Sequence, residues 1–118
     1  MSASSPITTH VLDTAEGSPA EGLALSLARR AGDQWEVVAS GVTNADGRVT
    51  DLLPSGASLV GHWRMQFETG PWLSSRGRPV FYPQVQVEFV VPEGVGPEAH
   101  YHIPLLLSPF GYSTYRGS

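Results

Sequence analysis

No cysteine occurs anywhere in the chain, which removes both a disulfide scaffold and a thiol nucleophile from consideration. Lysine is absent too, so Schiff-base chemistry on a lysine is excluded. All seven basic residues are arginines, scattered along a chain of net charge -4. Nucleic-acid surfaces need a basic patch or stripe, so no nucleic-acid partner is expected. Long apolar runs are missing as well: the strongest, residues 103–107, is interrupted by Pro104 and far too short to span a membrane. The first ten residues, MSASSPITTH, carry neither a basic region nor an apolar core, so no signal peptide is expected and the expected location is cytoplasmic. Glycine-rich phosphate loops and aspartate clusters with calcium-loop spacing are not found. Ser113, Thr114 and Ser118 lack the turn that exposes a serine nucleophile, which argues against a serine hydrolase.

What is present is a pattern of short alternating segments. With 118 residues, 41% of them hydrophobic, the chain suits one globular domain. Residues 1–6 read as a short loose leader and 7–118 as the domain. Residues 7–13 predict a strand with Ile7, Thr9 and Val11 on one face and Thr8, His10 and Leu12 on the other. A loop is expected over 13–19. A strand is expected at 23–30, with Leu23, Leu25 and Leu27 inward, preferred over the helix that its alanines and leucines also allow, and another at 35–42, with a break near Ser40 and Gly41. Asn44-Ala45-Asp46-Gly47 is the strongest turn signal, and Arg48 opens a short strand after it. Residues 61–69 place Trp63, Met65 and Phe67 inward. Residues 71–75 predict a short helix, with Pro71 near its first position and Gly77 as its stop. Residues 84–91 put Val85, Val87, Phe89 and Val91 inward, and a loop spans 92–97.

The last nineteen residues organise the reading. In a strand with a side-chain period of two, His100 and His102 share one face. Tyr101, Ile103, Leu105 and Leu107 take the core face. Pro109 and Gly111 allow a tight return into a second strand over 112–115. Seven or eight short strands with at most one helix predict an all-β sandwich or barrel. Two same-face histidines are costly to bury unless used or hydrogen-bonded, and histidine titrates near neutrality. His100-x-His102 with His10 is also a three-nitrogen set suited to zinc. By itself, an arginine that follows a turn, as Arg48 does, is by default a solvated charge.

Three stretches then carry a family resemblance: Thr8-Thr-His-Val-Leu-Asp-Thr14, Thr43-Asn-Ala-Asp-Gly-Arg48, and His100-Tyr-His-Ile-Pro104 through Tyr115-Arg-Gly-Ser118. Over nearly its whole length the chain resembles the 5-hydroxyisourate hydrolases, the enzymes related to transthyretin. The Tyr-Arg-Gly-Ser ending and the histidine set separate them from the hormone carriers. The resemblance implies a transthyretin-like (prealbumin-like) two-sheet sandwich of about eight strands with one short helix. Four chains would form a homotetramer, a dimer of dimers around a central channel. It implies His10, Arg48, His102 and Tyr115 as catalytic residues, with His100 and Ser118 around the same pocket; the Ser118 carboxylate is available to orient a histidine. It implies a small purine-derived substrate, 5-hydroxyisourate, opened by histidine-activated water, with no cofactor and no metal. A carrier without turnover and a zinc enzyme are the competing readings. Trp72, His62-Trp63 and the 92–97 loop depart mildly from the family pattern. Residues 84–91 and 112–116 are expected to be sheet edges, suited to pairing with a second chain.

Overall fold

The computed structural model describes residues 5–96 and 98–118. Of the expected leader 1–6, residues 1–4 lie outside the described residues, as does residue 97 of the expected 92–97 loop. Ser5 and Pro6 are buried. The Ser5 hydroxyl donates to the Ile7 carbonyl (2.6 Å) and accepts from the Leu53 amide (2.9 Å).

The described residues form nine strands and one helix: β1 (Ile7–Asp13), β2 (Ser18–Pro19), β3 (Ala24–Ala31), β4 (Gln34–Val42), β5 (Arg48–Val49), β6 (Gly61–Phe67), α1 (Thr69–Ser75), β7 (Val85–Val91), β8 (Tyr101–Ser108) and β9 (Gly111–Thr114). They form two sheets. One runs β2-β1-β8-β9, with β5 also pairing to β1; the other runs β4-β3-β6-β7. Every pairing is antiparallel except β1 with β8. The expected two-sheet, all-β architecture with one short helix is the architecture found.

The core lies between the sheets and follows the period-two pattern. Ile7 and Val11 of β1, Leu25 and Leu27 of β3, Trp63, Met65 and Phe67 of β6, and Ile103, Leu105 and Leu107 of β8 are all buried. Each contributes about 1.5–3 kcal/mol relative to an exposed position. Register matters here: a slip of one residue in β8 would turn its apolar row outward and its histidine into the core.

Three expectations need correction. The 13–19 loop is not wholly irregular, because Ser18 and Pro19 pair with the end of β1. The break at Ser40-Gly41 does not occur; β4 continues to Val42. Gly41 is there for closeness rather than for bending, since a Cβ would come within 2.9 Å of Val49 Cγ1. The helix starts at Thr69, two residues before the expected Pro71. The Thr69 hydroxyl donates to the Tyr82 carbonyl, pinning that first residue (2.8 Å). The helix still stops before Gly77, as expected.

The two segments expected at sheet edges are both there: β7 ends one sheet and β9 ends the other. Between them opens a cleft of about 330 Å³, lined among others by Phe89, Tyr101, Ile103 and Arg116 and by no histidine.

Candidate active site

The outward face of the β2-β1-β8-β9 sheet collects the candidate residues. In β1, Ile7, Thr9, Val11 and Asp13 form the inward row, so Thr8 and His10 must face away from the core. His10 stands directly opposite Arg48 of β5, and Thr8 stands directly opposite His102 of β8.

Arg48 is held in place by the turn before it. The Asn44 side-chain oxygen accepts from the amides of Asp46 (2.9 Å) and Arg48 (3.0 Å). The Gly47 carbonyl accepts from the Val11 amide at 2.7 Å. Gly47 has φ +76°, and a Cβ there would overlap the Val11 carbonyl oxygen. Glycine is therefore required, because it alone allows both this conformation and this approach. The turn signal read in the sequence is thus the device that sets Arg48 beside His10.

β8 and the residue just before it bring the second pair. His100 and His102 stack with ring centroids 6.5 Å apart and planes within 11°. The Thr8 hydroxyl lies 2.8 Å from His102 Nδ1 and 3.2 Å from His100 Nε2. Thr8 and His102 are shielded, whereas His100 is exposed. Pro104 has no amide hydrogen, so the β8–β9 ladder cannot continue regularly past it. Pairing resumes at Gly117, whose amide donates to the His102 carbonyl (2.8 Å). Extending the β8–β9 register places Tyr115 across from Pro104, on the outward face with His102; Arg116 goes inward, over the Tyr101 ring at 4.5 Å. Tyr115 is 57% exposed, and Ser118 is exposed as well. One chain therefore brings His10, Arg48, His100 and His102 together and leaves Tyr115 and Ser118 at the rim.

The electrostatics favour uncharged imidazoles. Burial lowers the His102 pKa from its ordinary 6.5, and the Arg48, His100 and His10 charges lower it further. His10 is lowered by burial and by Arg48, against the opposing influence of the Asp46 backbone and carboxylate. A neutral imidazole can accept a proton; an imidazolium cannot. Any step that needs a neutral histidine should thus persist to below pH 6.5 and fail only in more acid solution. A kcat/KM profile whose acid limb lies above that value would contradict this. The same shifts act on stability. The unfolded chain binds more protons than the fold between each lowered pKa and 6.5, so stability declines as pH falls through that window.

Zinc would require three side chains to converge. Among the described residues, no three of the metal-ligating side chains do so. Two of the three candidate histidines instead direct a ring nitrogen at the same hydroxyl.

Two features escaped the sequence reading. Thr8 shares the face of His10 in the strand pattern, which assigns it no role; its link to His102 depends on a pairing across 94 positions. Asp13, read as the start of a loop, is buried and paired with Arg78: Arg78 Nη1 donates to Oδ2 at 2.5 Å and Nη2 to Oδ1 at 3.2 Å. Nothing in the local sequence links those two residues.

The topology and this outward face define a class: a two-sheet sandwich carrying arginine and histidines on the open face of one sheet. The HIUase/Transthyretin family model matches residues 7–117. A 5-hydroxyisourate hydrolase from Mus musculus is 44% identical over 117 residues, covering 98% of this chain and 97% of that protein. The structure of Klebsiella pneumoniae 5-hydroxyisourate hydrolase superimposes with a TM-score of 0.81 at 36% identity, covering 98% of this chain and 100% of that one. Sea bream transthyretin in complex with thyroxine gives a TM-score of 0.87 at 33% identity, covering 96% and 95%. The chain belongs to the HIUase/Transthyretin family.

Proposed function

We propose that this protein hydrolyses 5-hydroxyisourate to 2-oxo-4-hydroxy-4-carboxy-5-ureidoimidazoline, in urate degradation. The observation that carries the reading is the joint placement of His10, Arg48 and His102 on one sheet face, with both histidine pKa values lowered. In this mechanism one of the two imidazoles takes a proton from water as the oxygen attacks the ring C6 carbonyl. The Arg48 guanidinium binds ring oxygens and stabilises the negative charge that grows there. The adjoining C–N bond then breaks and its nitrogen takes a proton, which opens the six-membered ring. Tyr115 closes one wall and hydrogen-bonds to the substrate; His100 and Ser118 support the pocket. The chain's own residues supply every role, with no cofactor and no metal.

A carrier function is the second reading, supported by the likeness to transthyretin bound to thyroxine. A polar face with histidines and an arginine is poorly suited to an apolar ligand. Loss of 5-hydroxyisourate absorbance should continue through many equivalents per chain. A loss that stops at one equivalent would mean binding without turnover.

Arg48→Lys tests the arginine's role. Lysine keeps the charge but not the planar fork that grips a ring by two contacts. The substitution is expected to lower kcat/KM by about tenfold or more, of the order of one lost charge-assisted hydrogen bond. Equal values for the two proteins, from initial rates measured side by side, would make Arg48 a solvated charge.

We also propose a homotetramer. The support is that β7 and β9, which end the two sheets, leave unpaired strand edges, and that Phe81, Phe110 and Tyr112 are exposed nearby in an aromatic cluster with Tyr82. Light scattering at assay concentration tests it: a fully active species at the 12.6 kDa monomer mass would refute the assembly.

A further inference from the structure

One hydroxyl serves two imidazoles. Thr8 Oγ1 lies within hydrogen-bond distance of His102 Nδ1 and of His100 Nε2, and it is 4% exposed. A hydroxyl has a single proton to donate. Both rings therefore cannot accept from Thr8; at least one must donate to it. The tautomers of the two histidines are thereby coupled. If Thr8 donates to His100 Nε2, then His102 carries its proton on Nδ1 and donates it to Thr8. The His102 lone pair is then left on Nε2, the ring nitrogen not engaged by Thr8. In the reverse arrangement Thr8 donates to Nδ1, Nε2 holds the proton, and the free lone pair is lost.

Exposure runs in one direction along this chain of groups. His102 is half-buried, Thr8 is buried, and His100 is open to solvent. Arg48 and His10 face His102 from the neighbouring strands, with Asp46 of the turn beside His10, while at the outer end Glu98 shares a small cleft with His100. Gly117 lies so near that a Cβ on it would come within 2.6 Å of His102 Cδ2, so any side chain there would displace the ring.

We propose, building on the hydrolase reading, that Thr8 is a positioning residue: it fixes His102 in the tautomer with a free Nε2 and relays the proton His102 gains to His100 and solvent. The protons balance as follows. Water gives a proton to His102 Nε2. His102 passes its Nδ1 proton to the Thr8 oxygen as Thr8 passes its own to His100 Nε2. His100 releases its Nδ1 proton to solvent. The set ends with His102 protonated on Nε2 and neutral, and the reverse sequence restores it.

The test compares Thr8→Val, which keeps the shape and removes the hydroxyl, with Thr8→Ser, which keeps the hydroxyl. Imidazole ¹⁵N spectra of histidine-labelled protein read the tautomers directly. Wild type and Thr8→Ser should show His102 protonated on Nδ1, and Thr8→Val should lose that preference. In kinetics, Thr8→Val should lower kcat by roughly 5–10-fold, the weight of one hydrogen bond on one tautomer, with little change in KM. Added imidazole buffer should restore part of the loss in Thr8→Val and none in wild type. An unchanged His102 tautomer in folded Thr8→Val would overturn the positioning role, and a kcat loss that imidazole does not relieve would overturn the relay. If wild type proves inactive on 5-hydroxyisourate, the hydrolase reading fails and the relay with it, while the spectra still decide whether Thr8 sets the tautomer.

Discussion

His102→Ala is expected to lower kcat/KM for 5-hydroxyisourate by about 10²–10⁴-fold, the usual weight of a positioned acid–base group. The ring faces away from the core row of Tyr101, Ile103, Leu105 and Leu107, so its removal leaves the sandwich packing intact. The β8 backbone also keeps its contacts, because the His102 carbonyl, not the side chain, accepts from Gly117. What disappears is one neutral imidazole beside Arg48 and His10. Arg48 would still stabilise developing negative charge, so a residual rate should remain. Circular dichroism and thermal melts establish that the variant is folded. Near-wild-type kcat/KM in that folded protein would end the assignment.

Arg78→Ala is expected to destabilise the fold by about 3 kcal/mol, the low end for breaking a buried ion pair. Asp13 sits at the inward end of β1, 3% exposed, and its carboxylate tolerates burial through its partners. Burial pushes its pKa up, but the Arg78 hydrogen bonds and charge and the Glu16 and Ala15 amides outweigh that and hold it below the ordinary 3.8. Removing Arg78 leaves those two amides on Oδ1, which is why the low end applies, and leaves Oδ2 without its partner. The pair also ties the segment after the helix to the first strand of the opposite sheet. A loss of this size corresponds to a melting point lower by roughly 10 °C in a domain of this length. A change of a degree or less would show that Asp13 is well enough hydrated to need no cation. Acid should act in the same direction. The native carboxylate binds protons less readily than the unfolded one, so this contribution is full above pH 3.8 and is lost as pH falls through the lowered native value.

Much of this was legible because alternation in a two-sheet sandwich is strict. The inward rows of β6 and β8 could be read residue by residue, since Trp63, Met65 and Phe67, like Ile103, Leu105 and Leu107, have no other way to leave water. The Asn44–Gly47 turn was legible because the carboxamide and the positive-φ glycine act within four residues. The shared face of His100 and His102 needed only the strand period. Local pattern failed where a residue answers to something distant. Gly41 looks like a breaker but yields room to Val49, and Thr69 starts the helix by bonding to Tyr82. Thr8 and Asp13 find their partners 94 and 65 positions away, and no periodicity reports such a pairing. The histidines stand out as candidates by pattern and chemistry, but Arg48 and Tyr115 could be named only through resemblance; alone, Arg48 reads as a solvated charge.

The parallel pairing of β1 with β8 also bears on how the molecule comes into being. One whole flank of β1 is satisfied only by residues 101–107. During synthesis the first strand therefore waits, half-paired, until most of the chain has left the ribosome. Such distant pairing costs loop entropy before any contact compensates it, which slows folding and leaves an edge open to wrong partners meanwhile. His10 and Thr8 belong to the strand that waits, Arg48 to a two-residue strand anchored on it, and His102 to the strand that arrives late. A fragment ending before β8 could still pair β1 with β5, but it would lack His102 and the strand that closes the other flank of β1. Completing the reactive face therefore waits on the same late pairing that completes this sheet, and until then the strand that bears His10 keeps an open edge.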